Sequence, residues 1–168
     1  MHPQLFKEIL TPPAIPQPVL ISPDFRLLQA GMAKLNDIVV ITEVDRLATP
    51  THKIVYVNEA FEKHTGYSQR DVMGRSPGLL QGQGSQYAEI NRIRLALEQS
   101  EPVHAELINY KKDGTLFWIE LDIAPIKSAE GIATHWVSAA RDITQRKIAE
   151  EEIEYLAFYD TLTQLPNR

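Results

Sequence analysis

Cysteine is absent from all 168 residues of this chain. That excludes disulfides, thiolate nucleophiles, cysteine-ligated zinc or iron–sulfur centres, and any photochemistry that needs a cysteinyl adduct. Cationic excess is absent too. The chain has 17 Lys and Arg against 22 Asp and Glu, a net charge of -5. Such a balance gives a polyanion no purchase, so no nucleic acid is expected as a partner. No apolar run reaches the roughly 18 residues a membrane helix needs, so this segment is not expected to cross a membrane. The N-terminus lacks a basic-then-apolar signal pattern, and a cytoplasmic location is the expectation. Catalytic constellations are missing as well. No His pair has convincing metal-ligand spacing, and Gly82-Gln83-Gly84 alone does not make a phosphate loop. The fragment is therefore not expected to be an enzyme.

What is present is unevenly distributed. Residues 1–22 hold Pro3, Pro12, Pro13, Pro16 and Pro18, a density that blocks helix and central strand and suggests a flexible leader. Ser22-Pro23-Asp24 is a helix start, with a capping hydroxyl, a proline suited to the first turn and an acid at the positive dipole end. Phe25, Leu28, Met32 and Leu35 then recur at spacings of 3, 4 and 3, an apolar stripe suited either to its own domain or to a dimer seam. A flanking helix is expected over 23–36.

Strands are expected over Asp37–Thr42 and Lys53–Val57, both β-branched runs. Asn58 opens a short helix that Gly66 breaks, and Ser68 is expected to cap the next turn. Four of the chain's eight glycines fall between Gly74 and Gly84, so that stretch is expected to be irregular. Ser85 is expected to cap a helix over Gln86–Gln99 that buries Ile90, Ile93 and Leu97. That helix has no His or Cys to hold a haem. Three strands follow, Val103–Lys111, Leu116–Lys127 and Thr134–Asp142, turned by Asp113-Gly114 and Glu130-Gly131. From Ile143 the pattern becomes helical and charged, with Ala149, Ile153 and Leu156 on one stripe. The order implies an α+β fold, a five-stranded antiparallel sheet with helices on one face.

Alternation along the strands defines two faces. Val103, Ala105, Leu107 and Asn109 share one, as do Phe117, Ile119, Leu121 and Ile123 on the next strand, and Trp136, Ser138 and Ala140 on the last. Asn109 is the polar member of an apolar stripe, and an unpartnered buried carboxamide costs about 1–3 kcal/mol. Backbone, water or a bound ligand could each satisfy it. Ser138 and Ala140 are small, which suits either ordinary packing or a flat ligand. The opposite face carries His104, Glu106, Ile108, Tyr110, Trp118, Val137 and Ala139. It is too apolar for open water and calls for a cover: a flanking helix or a second subunit. His52, His64 and His135 are expected in or near loops, as ordinary polar residues.

The same order, with Ile54-Val55-Tyr56-Val57-Asn58-Glu59-Ala60-Phe61, Thr65-Gly66-Tyr67, Lys112-Asp113-Gly114 and Arg141-Asp142-Ile143-Thr144, resembles a PAS domain over 37–142. Gly74-Arg75-Ser76-Pro77-Gly78-Leu79-Leu80-Gln81-Gly82, Ile93-Arg94, Asn109-Tyr110-Lys111-Lys112-Asp113-Gly114 and Phe117-Trp118 resemble its light-oxygen-voltage flavin subgroup and that subgroup's cysteine-less relatives. The resemblance implies a flavin, FAD or FMN. Asn109 would meet the ring's polar edge, Gln81 would lie near the ring, and Arg94 would pair with the phosphate. For Gln81 a loop-capping role, and for Arg94 a solvated surface position, stay open. Pro77 stands at the adduct-forming Cys position, flanked by Ser76 and Gly78 where the subgroup has Asn and Arg. Ile119 replaces a second ring-binding Asn, and Ala140 the switching Gln. The resemblance thus implies redox or light input without an adduct.

Asp160-Thr161-Leu162-Thr163-Gln164-Leu165-Pro166-Asn167-Arg168 resembles the opening helix of a GGDEF domain, the module that makes cyclic di-GMP. This implies a signalling helix over 143–159 and a truncated diguanylate cyclase output at 160–168. A homodimer through the flanking helices and outer sheet face is implied with it, since GGDEF domains work face to face. The alternative is a cofactor-free PAS module for dimerisation or docking.

Overall fold

The computed structural model describes residue 31, residues 36–45 and residues 51–158. The expected leader, nearly all of the 23–36 helix and the GGDEF-like stretch lie outside the described residues.

The β-branched run Ile38–Asp45 forms β1, and Thr51–Val57 forms β2. Three strands near the C-terminal end follow: β3 Val103–Tyr110, β4 Leu116–Lys127 and β5 Ala133–Asp142. All pair antiparallel in one sheet of order β2-β1-β5-β4-β3, so the first and last strands meet at its centre. Both tight turns come from glycine at positive φ, Gly114 at 87° and Gly131 at 79°. At the first turn the Asp113 carboxylate accepts from the Thr115 amide at 2.9 Å, and these Thr115 contacts lower the Asp113 pKa.

Among the described residues, three helices pack on the inner face, and the last starts on the outer face, where Lys147 meets Glu106 and the Trp118 ring. Glu59–Thr65 is α1, Gln69–Val72 the single turn α2, Tyr87–Glu98 α3 and Thr144–Phe158 α4. Asn58 joins sheet to helix. Its Oδ1 accepts from the amides of Val39 at 3.0 Å and Phe61 at 3.1 Å, while Nδ2 donates to the Asp37 carbonyl at 2.9 Å. Gly66 ends α1 in the left-handed conformation, φ 74°. Ser68 does precede α2, and the Asp71 carboxylate accepts from its amide at 2.9 Å. The core joins Ile38, Ile54, Phe61, Val72, Leu80, Leu107 and Phe117, with Ile90 and Ile93 of α3 packed against it. A second cluster gathers Val103, Ile123 and Trp136, with Leu97 of α3 against it.

Several sequence expectations need correction. The glycine-rich stretch is not wholly irregular, because Pro77–Leu80 is a 3-10 helix begun by Pro77 and the Ser76 hydroxyl, which accepts from the Gly78 amide at 3.2 Å. Gln86, not Ser85, stands at the N-cap of α3, and neither side chain caps it. Both are committed to β3. No residue of α3 is fully buried; Ile90, Ile93 and Leu97 are half-buried, packed against the core clusters. His52 and His135 lie in strands and His64 in the last turn of α1. The His52 ring stands edge-on to Trp136, with centroids 6.3 Å apart. On α4, the stripe of Ala149, Ile153 and Leu156 is exposed.

Candidate ligand site on the inner sheet face

Alternation places Asn109 inward among apolar neighbours. It is 6% exposed, and its Oδ1 has no hydrogen-bond partner among the described residues. It stands opposite Phe117 in the next strand, and Leu107 stands opposite Ile119. Leu121 lies between Ala105 of β3 and Ala140 of β5, and Ile123 faces Ser138. Asn109, Ile119, Leu121, Ser138 and Ala140 therefore form one continuous wall. Ile119 and Ala140 are buried, Leu121 and Ser138 half-buried. The 3-10 helix and α3 complete the enclosure through Leu79, Leu80, Ile90 and Ile93.

The other expected residues lie around this wall. Pro77 is half-buried at the first position of the 3-10 helix. Gln81 ends that helix, its amide donating to the Gly78 carbonyl at 3.0 Å and its side chain exposed. Arg94 is exposed on α3, ion-paired with Glu98 and bonded to Asn91 Oδ1 at 2.8 Å. The wall thus holds one orphan acceptor in an apolar setting, while the cation and the second carboxamide sit at the surface.

Three features of the sheet and its surroundings escaped sequence reasoning. Asp37 and Arg141 form a two-bonded pair at 3.1 and 3.0 Å that closes β1 onto β5. The Arg141 hydrogen bonds hold the Asp37 carboxyl below its ordinary range. On the outer face, Glu106 takes ion pairs from Arg146 and Lys147, each at 2.7 Å, which lower its pKa and raise theirs. Lys147 also sits 5.2 Å from the Trp118 ring centroid. Lastly, Tyr110 clasps the loop before α3. The Gly82-x-Gly84 spacing was its sequence signal.

The start of α4 is fastened to β4. The Trp118 amide donates to Thr144 Oγ1 at 3.0 Å, and the Ile143 amide donates to the Trp118 carbonyl at 2.9 Å. Asp142 Oδ1 accepts from the Thr144 amide at 2.9 Å. Burial raises the Asp142 carboxyl, but the Thr144 hydroxyl and amide bring it below its ordinary value.

The outer face, where His104 projects, carries an open groove of about 490 Å³ lined by Val103, His104, Asp122, Ala124, Val137 and Ala139 among others. Among the described residues no helix is long and apolar enough to cross a membrane.

A family model described as a PAS domain matches residues 37–145. A blue-light-activated histidine kinase of Brucella canis is 42% identical over 95 residues, 56% of this chain and 19% of the kinase. The chain thus spans about a fifth of that curated relative. An RNA-binding light-oxygen-voltage receptor superposes with a TM-score of 0.71 at 28% identity, covering 88% of this chain and 40% of the receptor. A light-oxygen-voltage domain described with a flavin analogue superposes with a TM-score of 0.62 at 28% identity, covering 77% of this chain and 94% of that domain.

Proposed function

We propose that this chain, which belongs to the PAS domain family, binds a flavin, FAD or FMN, on the inner face of β3, β4 and β5 and uses it as a sensor. The domain is of the light-oxygen-voltage type, and its role is sensory rather than catalytic. The observation that carries the flavin reading is the partnerless Oδ1 of Asn109. A ligand with a polar edge and an apolar body satisfies the carboxamide and fills the apolar wall beside it. Asn109 would hold the ring edge, Ser138 and Ala140 would leave it room, and Gln81 would reach it from the 3-10 helix. Arg94 would exchange Glu98 for the flavin phosphate. A flavin supplies blue-light absorption and reversible reduction. With Pro77 at the adduct position and no Cys in the chain, the input is a redox or light event without an adduct.

Output runs through α4. Ala140 offers no side-chain amide to carry a signal along β5, and β4 provides another route. Asn109 pairs with Phe117, and the next residue, Trp118, bonds both Ile143 and Thr144. A shift at Asn109 would reach the base of α4 through two adjacent residues of one strand. Beyond α4, the GGDEF-like 160–168 stretch points to a C-terminal diguanylate cyclase and to regulation of cyclic di-GMP in a cytoplasmic homodimer.

The deciding experiment is the absorption spectrum of the purified protein, followed by chromatography of whatever heat releases. A structured blue-region band with FAD or FMN released supports the reading. Asn109→Leu should then abolish flavin retention in a folded protein; full occupancy in that variant would remove Asn109 from the site. A second reading is a cofactor-free dimerisation or docking module, favoured by the closed packing of Phe61, Val72 and Phe117, each no more than 1% exposed. A colourless protein that takes up neither FMN nor FAD would select it.

A further inference from the structure

The segment Gly82–Gln86 is fastened to one short stretch of β3. The Gly84 amide donates to the Tyr110 hydroxyl at 2.7 Å. Ser85 Oγ donates to the Ile108 carbonyl at 2.6 Å and accepts from the Gly82 amide at 3.0 Å. Gln86 Oε1 accepts from the Ile108 amide at 3.0 Å. Among the described residues β3 has no strand on its other side. Both edge groups of Ile108 are thus met by side chains of the segment, in place of a sixth strand. The two glycines make the approach possible. A Cβ on Gly82 would lie 2.5 Å from the Tyr110 ring, and one on Gly84 2.6 Å from its hydroxyl.

Ile108 and Tyr110 flank Asn109, the residue that faces inward. The segment bridges the 3-10 helix and α3, the two elements that cover the wall. The start of α3 has no side-chain cap of its own, so the fastening to β3 sets its position. Residues 81–84 are exposed, with 85 and 86 half-buried. Little apolar area resists opening here, and opening costs far less than global unfolding.

We propose that Gly82–Gln86 is a strap, latched by Tyr110, that opens as a unit and gates access of the ligand to Asn109. The proposal deepens the flavin reading and rests on it for the identity of the ligand. Tyr110 is a positioning residue: it holds the strap and touches no ligand.

Amide hydrogen exchange in the unliganded protein tests the strap. The amides of Gly82, Gly84, Ser85 and Ile108 should share one opening equilibrium. Loss of a neutral hydrogen bond in Tyr110→Phe should speed exchange at all of them about fivefold. Gly82→Ala, which forces the ring aside, should act the same way. Exchange at the Gly66 amide, bonded within α1, should not change. Acceleration confined to Gly84 would overturn the strap. Stopped-flow mixing with FMN tests the gate. Tyr110→Phe should raise association and dissociation rates by the same factor and leave affinity unchanged. Unchanged rates, or a change in dissociation alone, would overturn it. If the wild-type protein takes up no flavin, the proposed function and the gate fall together, and the exchange data alone decide whether the strap stands.

Discussion

Asn58 and Asn109 are both buried asparagines, 3% and 6% exposed, and they serve opposite ends. The Asn58 side chain ties Asp37 and Val39, at the start of β1, to the first turn of α1. Asn58→Ala would strand the Val39 amide and remove the α1 cap, at an expected cost of about 2–4 kcal/mol in urea denaturation. Asn109 has a vacant acceptor instead, so Asn109→Leu should leave the unliganded fold as stable or more so while flavin is lost. His52 gives the fold a pH response. Burial lowers its pKa from 6.5, so the folded state keeps it neutral where the unfolded chain takes up a proton. Stability from this group is therefore intact above about pH 6.5 and falls as the pH drops below that value. His52→Gln should flatten the urea midpoint between about pH 7 and 5. An unchanged slope would assign the response to another group.

At the scale of elements, the hairpins are the most sequence-determined parts. Asp113-Gly114 and Glu130-Gly131 announce turns because each needs a left-handed residue, and both glycines adopt it. A Cβ at Gly114 would meet nothing within 4 Å. Gly114→Ala should therefore cost only the left-handed backbone, about 1–2 kcal/mol. A larger loss of denaturation midpoint would mean that β3 and β4 had slipped in register. Ser85 looks like a helix cap because serine before an apolar-periodic run is one locally, yet its Oγ accepts from the Gly82 amide and donates to the Ile108 carbonyl of β3. Polar side chains go to whichever unmet backbone group lies closest, and a distant strand cannot be seen in a local window.

For the whole molecule, the unpaired surfaces matter most. On α4, Ile148 is 51% and Ile153 68% exposed, and the outer sheet face carries the open groove lined by His104, Asp122 and Ala139. These surfaces, with the Phe25, Leu28, Met32 and Leu35 stripe, fit the proposed homodimer. Ile153→Asp and Leu28→Asp should each shift the sedimentation mass from dimer to monomer. Loss in one variant alone would identify the seam, and a dimer that survives both would move it to the sheet groove.

Strand alternation, glycine turns and the PAS-like motifs determined the fold class and the inward face of Asn109. Both follow from residue type and period along the chain. Tertiary structure decided that the Asn109 Oδ1 has no partner among the described residues, that Arg94 pairs with Glu98, that Arg146 and Lys147 meet on Glu106, and that Tyr110 holds Gly84. The physical reason is separation. Gly84 and Tyr110 are 26 residues apart, and Arg141 and Asp37 are 104 apart. Only the folded sheet sets such distances, and a hydrogen bond or ion pair is decided by distance.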